Sequence, residues 1–219
     1  MTDPLFSVDR LTYLQNGPYS FSLYSNEVVG FTGPSGIGKT QMLRALVESI
    51  PYDGTILLDG VKAECFPAPS WRRKVGLVAA ESAWWYDDVG SHFNKANGDP
   101  ELVDILTRLG FEIDVLSWSI SRLSTGERQR LALARELTLK PVILLLDEPC
   151  SALDPYAVSL VETLLSDYQK TPKTALLWVS HDHDQLKKVA GRCFHVHRHT
   201  LEQFWPDPGK TENPGIPWR

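Results

Sequence analysis

The sequence predicts an α/β fold. A parallel sheet flanked by helices would surround a phosphate-binding loop, with an antiparallel β-subdomain at the N-terminus and a short helical subdomain inserted in the core. Three observations carry this. Gly33-Pro34-Ser35-Gly36-Ile37-Gly38-Lys39-Thr40 reads G-x-x-x-x-G-K-T between an apolar strand at 27–32 and an amphipathic helix. The apolar run 142–146 ends in Asp147-Glu148-Pro149, the pattern of a fully buried parallel strand. Short strand and turn patterns crowd the chain before Gly60, whereas the stretch after Ala80 becomes helical.

Each element follows from local pattern. Loose alternation gives strands at 6–13 and 19–23, separated by a turn at Asn16-Gly17-Pro18. Ser25-Asn26-Glu27 is a second turn. A helix at about 40–49 follows the loop, then a turn at 51–54, a strand at 55–58 and a turn at Asp59-Gly60. Trp71-Arg72-Arg73-Lys74 precedes an apolar strand at 75–79, and 81–98 reads as loop and short helix. An amphipathic helix at 100–109 ends at Gly110. Ser124 with Glu127 three residues on predicts a capping box opening the next helix. A helix at 155–169, a buried strand at 174–179 and a short helix at 184–190 complete the pattern. The expected domain spans 1–204, with the helical insertion at about 82–138. The Pro- and Gly-rich tail, 205–219, is expected to be disordered or loosely draped.

The chemistry is that of a bound phosphate chain. Glycines let the backbone curl so that successive N–H groups point at phosphate oxygens, and the helix start adds its positive dipole end. Lys39 would neutralise the β- and γ-phosphates, and the Thr40 hydroxyl would bind Mg²⁺. Asp147 would join the Mg²⁺ shell, and Glu148 would polarise an attacking water as general base. His181, just after another buried strand, could hold the γ-phosphate and orient that water. His195, His197 and His199 alternate and would share a face on a strand, where a transition metal is one option.

Bulk properties narrow the class. The chain has 219 residues, 42% hydrophobic and 22% charged, enough for one sizeable soluble domain. A net charge of −5 gives no broad basic field, so no nucleic-acid partner is expected. Cys65, Cys150 and Cys193 have no metal-type spacing and suggest reduced cytosolic thiols. No signal-peptide pattern opens the chain, and no apolar run is long enough to cross a bilayer.

In their order along the chain these motifs resemble one family, the ATP-binding cassette (ABC) ATPases, the nucleotide-binding subunits of ABC transporters. Gly33 to Thr40 matches Walker A, and Leu123-Ser124-Thr125-Gly126-Glu127 before Arg128-Gln129-Arg130 resembles the family's signature motif. Residues 143–148 match Walker B, Ser151-Ala152-Leu153-Asp154 the D-loop, and His181 the switch histidine. The resemblance covers about residues 6–200. It implies a P-loop NTPase core binding ATP and Mg²⁺. A second ABC subunit, either the same chain or a paralogue, would complete each site, with Ser124, Gly126, Glu127 and Asp154 reaching the nucleotide held by the partner. It further implies an integral membrane permease as partner, and a cytoplasmic location peripheral at the inner face of the plasma membrane. Soluble complex remodelling and nucleotide-dependent regulation with weak hydrolysis are the alternatives.

Three departures stand out. Ala80-Glu81 replaces the family's Q-loop glutamine, so Glu81 is either a Mg²⁺ or water ligand or a solvated loop charge. Tyr13 is the candidate adenine-stacking aromatic, with Gln15 or a core role as the other options. Thr125 and Glu127 replace the usual glycine and glutamine of the signature motif. Trp84-Trp85-Tyr86 would either receive a partner's helix or cover the lobe's own core.

Overall fold

A computed structural model describes residues 3–93 and 99–206. Strands β1 (Phe6–Tyr13), β2 (Asn16–Leu23), β4 (Asp53–Leu58) and β5 (Val61–Lys62) form an antiparallel sheet in the order β2-β1-β4-β5. Strand β3 (Glu27–Thr32) lies instead in a second sheet with β6 (Val75–Val78), β7 (Ile143–Asp147), β8 (Ala175–Val179), β9 (Arg192–Val196) and β10 (Leu201–Trp205). Its order is β10-β9-β3-β8-β7-β6, parallel throughout except for the β9–β10 hairpin. The helices are α1 (Lys39–Leu46), α2 (Ala68–Lys74), α3 (Pro100–Arg108), α4 (Thr125–Leu137), α5 (Pro155–Gln169) and α6 (His183–Val189). Among the described residues no helix is long and apolar enough to cross a membrane.

Strand periodicity explains the two cores. Successive side chains of a strand point to opposite faces, and both faces of the second sheet are covered. Leu144, Leu146, Leu176 and Trp178 face one cluster with Leu102, Leu131 and Leu165 of the helices. Leu145, Leu177 and Phe31 face the other, with Met42, Leu43 and Leu46 of α1 and with Val8, Leu11 and Ile56 of the first sheet. Burying each such side chain stabilises the fold by roughly 1.5–3 kcal/mol relative to exposure. Strands β6 and β7 pair directly, so everything between them, α3 and α4 included, leaves the sheet and returns to the neighbouring position.

Two expectations are corrected, and one stretch without a predicted element is a helix. Asn16-Gly17-Pro18 opens β2, and the turn begins two residues earlier, at Leu14-Gln15. Leu14 takes the left-handed backbone (φ 52°). Gly17 serves a close strand contact, since a Cβ there would sit 2.3 Å from the Leu11 carbonyl. Trp71–Lys74 belongs to α2. Pro67 and Pro69 obscure that helix in the sequence, yet Pro69 sits in its first turn, where a missing N–H is harmless. Second, Trp205 ends β10 rather than opening a tail; residues 207–219, like 94–98 of the expected loop, lie outside the described residues.

Candidate functional site

Strands β3, β8 and β7 are successive neighbours, with Phe31 opposite Val179 and Val179 opposite Asp147. Their carboxyl ends therefore open at one edge, where ligands of open α/β sheets bind. The loop after β3 needs its glycines. Gly38 has φ 102°, and a Cβ there would lie 2.4 Å from the Asn16 amide nitrogen. No side chain caps α1, so its first-turn N–H groups face the loop. Lys39, only 7% exposed, donates from Nζ to the carbonyls of Gly33 (2.7 Å) and Pro34 (3.2 Å). Burial lowers its pKa, and Glu148 and Asp147 oppose that shift.

The Thr40 hydroxyl donates to Asp147 Oδ2 at 2.7 Å, joining the first turn of α1 to the end of buried β7. Glu148 follows with a left-handed backbone (φ 49°). Its N–H donates to the Val179 carbonyl, and its own carbonyl accepts from Gln129 Nε2 (2.6 Å) and Ser151 N (3.2 Å). The peptide is thus held from three elements, and the carboxylate is aimed by the backbone. Glu148 Oε1 lies 3.4 Å from His181 Nε2. That is an ion-pair distance without hydrogen-bond geometry, since Oε1 has no hydrogen-bond partner. Burial raises the Glu148 pKa; His181 and Lys39 partly offset this. A cavity of about 330 Å³ is lined by Ser35, Gly36, Gly38, Lys39, Thr40, Gln41, Ala80, Asp147, Glu148 and His181. A second cavity, about 700 Å³, shares Gly36 and is lined by Leu14, Gln15, Asn16, Ile37 and Arg198.

Two expected site residues fall elsewhere. Tyr13 is 1% exposed, packed on Tyr19 with its hydroxyl donating to the Gly38 carbonyl, so its ring has no open face for a base. It supports the loop from beneath. Glu81 is exposed, and Ala80 rather than Glu81 borders the phosphate cavity, which favours the solvated loop charge of the two readings given for it. The histidine alternation also breaks. Strand β9 ends at Val196, so only His195 lies on the strand; His197 keeps its ring centroid 6.2 Å from that of His195, whereas His199 turns its Nδ1 to the Gly17 carbonyl.

Ser124, Gly126, Glu127 and Asp154 do not line the cavity of their own chain. Ser124 caps α4: its hydroxyl accepts from Glu127 N (3.2 Å), and its N–H donates to Glu127 Oε2 (2.8 Å). A Cβ at Gly126 would meet the Ala152 carbonyl at 2.9 Å, so this glycine lets α4 approach the turn before α5. Asp154 caps α5 through Ala157 N (2.9 Å). Gln129 and Arg198 were not expected at the site. Gln129 sits within the signature stretch, the one signal that could have found it; Arg198 had none.

A glycine loop at a helix start, a hydroxyl–carboxylate pair and a carboxylate–imidazole pair on one sheet edge define a phosphate-loop nucleotide hydrolase. The family model described as "ABC transporter" matches residues 17–151. The chain belongs to that family, as an ATP-binding and ATP-hydrolysing subunit of the ABC type. It is 32% identical over 196 residues to the probable iron export ATP-binding protein FetA of Escherichia coli (strain K12), covering 84% of this chain and 87% of that one. It is 33% identical over 196 residues to the phosphate import ATP-binding protein PstB of Ehrlichia ruminantium (strain Gardel), covering 79% and 76%. The fold matches a bacterial Atm1-family ABC exporter with ATP bound (TM-score 0.81, 22% identity, 91% of this chain and 38% of that chain). It also matches cbiO1 from Clostridium perfringens (TM-score 0.73, 24% identity, 91% and 87%).

Proposed function

We propose that this chain hydrolyses ATP between Lys39 and Glu148, as one of two paired cassettes, to drive a separate membrane permease at the cytoplasmic face. The observation that carries the chemistry is the Glu148 carboxylate, fixed through its own peptide at the lip of the phosphate cavity, with His181 beside it. Glu148 takes a proton from water, the resulting oxygen attacks the γ-phosphorus, and the bond to the bridging oxygen breaks, leaving ADP and phosphate. Burial keeps Glu148 more basic than an ordinary carboxylate, which suits a general base. Lys39 moves from the loop carbonyls to the incoming phosphates, a charge-assisted exchange. The Thr40 hydroxyl and Asp147 carboxylate, 2.7 Å apart, are hard oxygen donors of the type Mg²⁺ takes. Mg²⁺ bound there would neutralise phosphate charge.

Ser124, Gly126, Glu127 and Asp154 would serve the nucleotide of the opposite cassette, a role compatible with their absence from the lining of their own chain's cavity. Trp85, 62% exposed beside Tyr86 and just after Ala80, is a candidate anchor for the permease. The relatives' named cargoes differ, iron exported by one and phosphate imported by the other, so what they share with this chain is the ATP-driven part. Steady-state ATPase assays of wild type and Glu148→Gln test the mechanism. The variant is expected to bind ATP but lose roughly 10²- to 10⁴-fold in kcat. Turnover unaffected by the substitution would remove Glu148 from the base role. Turnover near zero in the wild type would favour a regulatory subunit, the reading to which Ala80 at the Q-loop position leads.

A further inference from the structure

The cavity beside the loop, about 700 Å³, has room for a nucleotide base and its sugar, and no aromatic ring lines it. Its apolar walls are Leu14, 73% exposed, and Ile37; its polar ones are the Gln15 and Asn16 amides and the Arg198 guanidinium. Sharing Gly36 with the phosphate cavity, it lies where the rest of a triphosphate-bound nucleotide must go. Tyr13 and Tyr19, the aromatics near this edge in sequence, are both buried, Tyr13 with its hydroxyl on the Gly38 carbonyl.

Arg198 is held in place from several directions. It lies in the turn after β9, and that turn is fastened to the first sheet. Gly17 N donates to the Arg198 carbonyl (2.9 Å), the Tyr19 hydroxyl donates to the carbonyls of His197 (2.6 Å) and Arg198 (2.9 Å), and His199 Nδ1 donates to the Gly17 carbonyl (2.9 Å). The guanidinium then donates in its own plane to Gln15, through Nη2 to Oε1 and through Nε to the carbonyl. Both acceptors are neutral. A guanidinium tethered by its edge keeps its faces open, and a planar, weakly hydrated cation stacks well on a π-system.

We propose that Arg198 supplies the planar face on which the purine base of the bound nucleotide stacks, in the place an aromatic side chain would otherwise take. This rests on the ATP site described above. Isothermal titration of wild type, Arg198→Ala and Arg198→Lys with Mg·ATP and with inorganic tripolyphosphate tests it. Arg198→Ala is expected to raise the Kd for ATP about tenfold and leave that for tripolyphosphate unchanged. Arg198→Lys should behave like the alanine variant, because it keeps the charge and loses the plane. Equal weakening towards both ligands, full rescue by lysine, or an unchanged ATP affinity would each overturn the proposal. A wild-type chain that binds tripolyphosphate but gains nothing from the base would overturn it as well, while leaving the phosphate site standing. A wild-type chain that binds neither would bring down the ATP site and this proposal together.

Discussion

Glu136 shows what one buried carboxyl does to a stability profile. It sits on α4 against Gly76 of β6, where a Cβ would come within 2.2 Å of its Oε1. Burial pushes its pKa up to about 7, and Arg135 opposes this only partly. The folded chain therefore holds this proton more tightly than the unfolded chain does. The associated stability is fully present below the ordinary carboxylate range and is lost as pH rises through about 7. Glu136→Gln, which cannot ionise, should melt at a higher temperature than wild type at pH 8 and at nearly the same temperature at pH 4. A Tm difference that stays constant between these two pH values would disprove the assignment. The phosphate-site residues Lys39, Thr40, Asp147 and Glu148 were legible in the sequence because their spacing is dictated by the ligand. Tyr13 was not. Whether an aromatic at a strand end lies above or beneath a loop depends on a turn, and the turn begins two residues earlier than Asn16-Gly17-Pro18 suggested.

At the scale of elements, caps and close approaches set the geometry. Asp154 was read as a nucleotide contact, yet one carboxylate oxygen already caps α5. Asp154→Ala should cost about 1 kcal/mol, a Tm loss of roughly 2–4 °C for a chain of this size, and Asp154→Asn should restore most of it. Thermal melts without nucleotide read this directly; equal losses in the two variants would mean that the cap is not what matters. Strands β7 and β8 were legible because strands covered on both faces must be apolar throughout. Strand β10 was not, since Leu201-Glu202-Gln203-Phe204-Trp205 is a half-exposed edge without clean alternation. Helix α2 was missed because its amphipathic signal reduces to one residue. Trp71, fully buried with its indole donating to the Leu46 carbonyl, holds the helix down almost alone.

For the whole molecule the question is how two chains meet. Thr125 is exposed at the first turn of α4 and takes no part in the capping box. With Glu148→Gln as background and ATP present, light scattering should report a mass near twice 24.6 kDa. Adding Thr125→Arg should return it to the monomer while ATP binding persists. A dimer that survives this change would show that the signature surface is not the contact. The overall architecture was legible from motif order, but the pinning of the β9–β10 turn onto the first sheet was not, because backbone carbonyls far apart in sequence leave no residue signature. One contact inside the molecule bears on what such pairing can do. Gln129 of α4 donates to the carbonyl of Glu148 itself. The helix that opens with the signature motif and the peptide that carries the proposed base are thus two ends of a single strut. A partner that moves α4 would have to carry that peptide with it or give up the bond, so this single amide is where docking on one side would be felt by the proposed base on the other.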